Sequence, residues 1–112
     1  HAAAAFDTSG VMLALAEDIG RHNAVDKVIG QLLLEDRLQD AWAMTVSGRV
    51  SFEIVSKAAR GQLSLLIAVS APSSLSVELA QKSGMTLVGF CRQERFNTYT
   101  HPERIEGVDG VE

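Results

Sequence analysis

Four short apolar runs, GVMLALAED (10–18), AWAMTVSG (41–48), LSLLIAVS (63–70) and MTLVGFC (85–91), alternate along this chain with three segments whose apolar residues recur at three- and four-residue steps. A continuous apolar run of strand length suits a strand buried on both faces, and a stripe of period near 3.6 suits a helix packed on one side. The order is therefore β-α-β-α-β-α-β. It predicts an α/β fold: a three-layer, mainly parallel sheet with helices on both faces. RFNTYT (95–100) reads as an added edge strand. With 112 residues and no internal repeat or linker, the chain is read as a single α/β domain over residues 1–105, followed by a polar, frayed tail that begins within HPERIEGVDGVE and occupies 106–112. The opening HAAAAFDTSG lacks an initiator methionine and the basic and apolar regions of a leader, and it suggests a C-terminal domain cut from something longer.

Helix ends are marked by residue type. Val25, Val28, Ile29, Leu32 and Leu33 form one stripe, which predicts about three helical turns from Asn23, with Asn23 as cap and Asp26 in the first turn, where a carboxylate favours the helix dipole. SFEIVSKAARG (51–61) predicts a helix capped by Ser51 and stopped by Gly61. APSSLSVELAQKSG (71–84) puts a proline and capping serines at a start, Leu75, Leu79 and Ala80 on the stripe, and Gly84 at the stop.

Charge and cysteine usage remove several classes. A net charge of -4 argues against a general nucleic-acid backbone binder, which needs a basic face. No apolar run approaches the roughly 20 residues of a membrane helix, so no membrane partner is expected. A single cysteine, Cys91, rules out an internal disulfide, a CxxC pair and a thiolate zinc cage within these residues, and fits a reducing, cytoplasmic setting. The chain has no Walker loop, no GxGxxG after a strand and no zinc-deaminase signature.

Three polar junctions remain, each at a strand-to-helix handover: EDIGRHN (17–23), SGRVS (47–51) and SAPSS (70–74). In a parallel sheet all three gather at the carboxyl edge, where open α/β sheets bind ligands. Gly20 permits a turn there, Arg21 and Arg49 can fork onto phosphate, His22 can donate or accept near neutral pH, and helix starts at Asn23 and Ser51 offer free amides. The same residues fit a capped helix with an Asp-Arg pair, a solvated histidine and a turn glycine beside an exposed arginine. Further along, Phe90, Phe96 and Tyr99 interleave with Arg92 and Arg95, an arrangement able to stack a purine or pterin or simply to pack a core under a solvated face.

Taken together, HAAAAF, EDIGRHNAVDKVIG, SGRVSFEIVSKAARGQ and AVSAPSSLSVELAQKSGMTLVGFCRQERFNTYTHPERI, in order and with spacing intact, resemble the formate dehydrogenase accessory sulfurtransferase family, the FdhD type, from His1 to about Ile105. The resemblance implies a sulfur carrier required for formate dehydrogenase activity, which takes sulfur from a cysteine desulfurase and passes it to the molybdenum cofactor before that cofactor is inserted. It implies a fold similar to cytidine deaminases without their zinc site, and no structural metal. The family's persulfide sits on a Cys-x-x-Cys loop upstream of the HAAA block, so no catalytic residue is assigned here, Cys91 does not receive the persulfide role, and enzymatic status stays open. Family members are similar in binding molybdenum bis(molybdopterin guanine dinucleotide) as cargo. Phe90, Cys91, Arg92, Gln93, Glu94 and Arg95 match the position of that contact, and Arg21, His22, Asn23 and Arg49 join them as cofactor-binding candidates. A homodimer is expected as well. The alternative is a non-catalytic interaction module docking on the desulfurase or apo-dehydrogenase; a stand-alone hydrolase or deaminase-like enzyme is a third reading.

Overall fold

The computed structural model of the protein describes residues 1–92 and 95–105; of Cys91, Arg92 and Arg95 it describes the backbone alone. Among the described residues six strands form one sheet: β1 (Ala2–Phe6), β2 (Met12–Glu17), β3 (Ala43–Val46), β4 (Leu65–Ala68), β5 (Thr86–Arg92) and β6 (Arg95–Thr100), in the spatial order β2-β1-β3-β4-β5-β6. Three helices lie between them, α1 (Arg21–Leu34), α2 (Phe52–Arg60) and α3 (Ser74–Ser83). None of the helices among the described residues is long and apolar enough to cross a membrane.

β1 is the element that the alternation of runs misses. Alanine carries no β-branched or aromatic signal and is the best helix former, so AAAA does not read as a strand. Its small side chains are what the site requires: β1 lies between β2 and β3, antiparallel to both, with Ala3 and Ala5 buried and α1 packed across β1 and β2. The expectation of a mainly parallel sheet is thereby corrected. Of the strand pairings among the described residues, β3–β4 and β4–β5 are parallel, while those of β1 with β2, β1 with β3 and β5 with β6 are antiparallel.

The expected third layer is also corrected. Inward residues of all three helices, among them Val25, Val28 and Leu32 of α1, Ile54, Val55 and Ala58 of α2 and Ala80 of α3, join Met44, Leu66 and Leu87 of the strands in one core. The opposite face holds a small cluster of Ala43, Leu65 and Val88 with Trp42, Ile67 and Ile105 against it, and no residue of α1, α2 or α3. The cause is the direction of travel. Passing from β2 to β3, β3 to β4 and β4 to β5, the chain always steps the same way across the sheet, and right-handed crossovers that keep one direction put their helices on one face. Covering both faces needs a reversal.

The cap residues of α2 and α3 are as expected: Ser51 Oγ accepts the Ile54 N–H at 3.4 Å, Ser73 Oγ accepts the Ser76 N–H at 3.1 Å, and Gly84 ends α3 at φ 74°. Leu75 departs from the expected stripe, since the buried positions of α3 are Ser76 and Ala80 while Leu75 is exposed. The start of the tail departs too. Residues 101–105 are strapped to the end of α3, where Arg104 Nη1 donates to the Gly84 carbonyl at 2.7 Å and His101 Nε2 to that of Gln81 at 2.9 Å. Donors at a helix C-terminus, here the Arg104 guanidinium and a ring N–H of His101, meet carbonyls at the end of the helical ladder. Residues 106–112 lie outside the described residues.

Candidate functional site at the carboxyl edge of the sheet

Because β1 is antiparallel to both β2 and β3, the strands β2, β3, β4 and β5 all point the same way, and the three polar junctions leave the sheet at one edge. They enclose a cleft of about 400 Å³, lined by Arg21 from the first junction, Arg49, Val50 and Ser51 from the second, and Ala71, Pro72 and Ser73 from the third. Backbone contacts stitch the last two together: Val50 and Pro72 form an isolated parallel bridge, and the Ser73 N–H donates to the Val50 carbonyl at 3.0 Å. The walls are thus fixed before any ligand arrives.

Close approaches need glycine at two points of the rim. A Cβ on Gly48 would stand 2.9 Å from Arg21 Cδ and 3.0 Å from His1 Nδ1, so the missing side chain is what lets Arg21 lie along the junction. A Cβ on Gly89 would meet the Ser70 carbonyl at 3.0 Å and Pro72 Cδ at 3.1 Å. That contact seats the end of β5 beside the third junction, with the Phe90 N–H 3.4 Å from the Ser70 carbonyl oxygen and the Phe90 side chain exposed at φ 51°.

The first junction is built differently from its expected form. α1 begins at Arg21, with Gly20 rather than Asn23 in the cap position and no side-chain cap bond. Asp18 serves from the loop: its Oδ1 accepts the Gly20 N–H at 2.9 Å and Asn23 Nδ2 at 3.3 Å, and its Oδ2 lies 2.8 Å from Lys27 Nζ. Asp18 therefore pairs with Lys27 and not with Arg21. Asp26 lies beyond the first turn and joins α1 to α2 through Lys57 at 2.7 Å. The Lys27 ammonium first, then the Gly20 amide and the Asn23 amide, hold the Asp18 carboxyl at about 2 instead of 3.8. A carboxyl held lower in the folded state than in the unfolded chain stabilises the fold above its unfolded value and loses that contribution as pH falls through its folded one. The Asp18→Asn variant should accordingly lose less stability than the parent as pH drops from 3.8 to about 2. Urea unfolding across that interval measures it, and equal slopes for both chains would contradict the assignment.

Among the described residues neither Arg21 nor Arg49 takes part in an ion pair. Arg49 is exposed, while the Nε–H of Arg21 is buried with no acceptor among the described residues. Leaving such a donor unpaired costs about 1–3 kcal/mol, more when it is charged. His22 links two helix starts, its Nε2 3.1 Å from Ser51 Oγ and its Nδ1 3.4 Å from Glu53 Oε2. Gly20, Arg21, His22 and Asn23 also border a smaller hollow of about 250 Å³.

The structure therefore brings Arg21 and Arg49 onto one cleft, with His22 touching its Ser51 wall and Phe90 attached through its backbone at Ser70. Asn23 stands apart, engaged with Asp18. Gln93 and Glu94 lie outside the described residues, as do the side chains of Cys91, Arg92 and Arg95, so the rest of the expected contact stretch does too. Sequence reasoning read Ser51 as the α2 cap, took the serines of SAPSS as possible caps or hydroxyls without choosing Ser73, and gave Glu53 no part; a cap serine with an acid two residues on was the available signal.

A model of the FdhD/NarQ family matches residues 1–106. The chain belongs to that family. It is similar to the sulfur carrier protein FdhD of Saccharolobus solfataricus (50% identical over 106 residues, 94% of this chain and 41% of the relative), of Thermoplasma acidophilum (55% over 105 residues, 94% and 37%) and of Mycobacterium tuberculosis (56% over 106 residues, 94% and 38%). A crystal structure described as that of a formate dehydrogenase accessory protein, from Desulfotalea psychrophila, superposes with a TM-score of 0.84 at 39% identity, over 93% of this chain and 47% of that one. The family read from the four ordered blocks is the family shown. The chain spans about two fifths of the length of the curated relatives it matches.

Proposed function

We propose that this chain is the nucleotide-binding part of a sulfur carrier serving formate dehydrogenase, and that its three-junction cleft seats the diphosphate of a guanine-dinucleotide molybdenum cofactor carried as cargo. The relatives' names support the sulfur-carrier role. The observation that carries the binding role is the convergence of Arg21 and Arg49 on one cleft with a buried Arg21 N–H lacking an acceptor. In this reading an anion in the cleft pairs with the Arg21 guanidinium, whose Nε–H the described residues leave without an acceptor.

The residues fit such a group. Two guanidinium forks suit phosphate oxygens, and the first-turn amides of α2 and α3 that the serine caps leave unused begin at the same rim. The cleft has the volume of a small-ligand pocket. Phe90 provides an exposed aromatic face next to the third junction for a purine or pterin ring. In this reading the residues bind and orient the cofactor, and Cys91 carries no sulfur. A cysteine desulfurase as donor, a formate dehydrogenase as recipient, a second copy of the chain and a cytoplasmic setting complete the proposal.

Calorimetric titration with GDP, a surrogate for the cofactor's nucleotide end, tests it. A saturable heat is expected, and silence at about 1 mM ligand would contradict cofactor binding. The interaction-module reading draws on a different surface, the helix-free face, where exposed Leu15 and Val69 border an apolar groove of about 190 Å³. Partner docking that survives loss of Arg21 and Arg49 together with absent GDP binding would favour it.

A further inference from the structure

We propose that His22 and Ser51 couple anion binding in the cleft to proton uptake: seating a dianion of the sulfate or phosphate class draws a proton onto His22, and charged His22 releases the Ser51 hydroxyl to donate to that dianion. The inference deepens the nucleotide-binding reading and rests on it.

The two ring nitrogens of His22 face groups of different kinds. Glu53 Oε2, 3.4 Å from Nδ1, can only accept, so in the neutral ring it favours the proton on Nδ1. Nε2 is then an acceptor, and the proton available to it is that of the Ser51 hydroxyl at 3.1 Å. Ser51 Oγ also accepts the Ile54 N–H as the α2 cap. In this state the hydroxyl proton is committed to the imidazole, and the Ser51 hydroxyl offers an anion lone pairs and no proton.

Adding a proton to His22 inverts the arrangement. Nε2 becomes a donor to Ser51 Oγ, the hydroxyl is free to turn its own proton into the cleft, and a positive charge stands next to Arg21. The neighbouring charges set the threshold. Arg21 on the same helix and Arg49 on the second junction oppose a charged imidazole, as does a protonated His1 ring beside Gly48 and Arg21, and Glu53 on α2 favours it. Asp18 is occupied by Lys27, and Asp26 by Lys57, one turn along the α1–α2 contact. A seated dianion offsets the two arginines, so the ligand itself tips His22 toward its charged form. Linkage then requires that protons tighten the anion by the same factor.

Inorganic sulfate is the probe, because it does not titrate in the interval where imidazole does. Sulfate should bind about fivefold more tightly at about pH 6 than at about pH 8. The His22 ring resonance, assigned by its loss in His22→Gln, should show protonation at higher pH in sulfate than in chloride of equal ionic strength, while His101, strapped at the far end of α3, stays unmoved. Ser51→Ala should reduce the pH effect to less than about twofold, and Ser51→Thr, which keeps a hydroxyl and a cap, should restore it. Equal sulfate affinity at both pH values, or a His22 titration indifferent to sulfate, overturns the coupling and leaves nucleotide binding standing. Failure of both GDP and sulfate to bind removes the underlying reading, and the coupling with it.

Discussion

Arg21→Ala should weaken GDP binding by about tenfold to a hundredfold, since hydrogen bonds to a charged group contribute about 1.5–3 kcal/mol and each 1.4 kcal/mol is a factor of ten. The position makes the effect specific. Arg21 lines the cleft, has no ion pair to lose among the described residues, and carries a buried Nε–H without an acceptor there. Removing it leaves no charged partner stranded in the free protein, so the thermal midpoint should hold while affinity falls. Arg21→Lys should not restore binding, because an ammonium on a flexible stem does not reproduce a planar fork and cannot reach the buried Nε position in the same geometry. Calorimetry on the parent and both variants measures this. GDP binding within about twofold of the parent in Arg21→Ala would show that the nucleotide lies elsewhere.

Leu66→Ala should be the most damaging of the simple truncations. Leu66 is fully buried in β4, at the centre of the sheet, where it joins the residues that α1, α2 and α3 send into the shared core. Large-to-small changes at such sites cost about 2–5 kcal/mol, the transfer of the lost methyl groups plus the cavity that the surrounding structure cannot close. Against a typical total of about 5–15 kcal/mol, that is enough to leave the domain marginal. Leu34→Ala provides the comparison: Leu34 is 90% exposed at the end of α1, and its truncation should stay within about 0.5 kcal/mol. Chemical denaturation of both variants reads the difference, and equal losses would show that the core is not where the burial places it.

The strands and helices with strong periodic signals were legible from residue types alone. Ser51, Ser73, Gly61 and Gly84 mark helix ends through chemistry that acts within one turn, and the structure uses them as the sequence indicates. What failed was non-local. β1 is invisible because four alanines say helix to a local reading, whereas the pairing with β2 and β3 beneath α1 makes them a strand with Ala3 and Ala5 in the core. The Asn23 cap was displaced for a similar reason. Asn23 has the right side chain, but Asp18, five residues upstream, takes the turn amide once Lys27 folds back over it.

The site divides along the same line. The sequence by itself determined the family, the alternating elements and the three polar junctions, because spacing and residue type are written in the chain. Only the tertiary structure decided that β1 runs antiparallel between β2 and β3, that all three helices share one face, and that Glu53 and Ser51 bracket His22 beside a cleft holding Arg21 and Arg49. Strand order and crossover direction set these meetings, and both are properties of contacts between segments far apart in the chain, which no local pattern encodes.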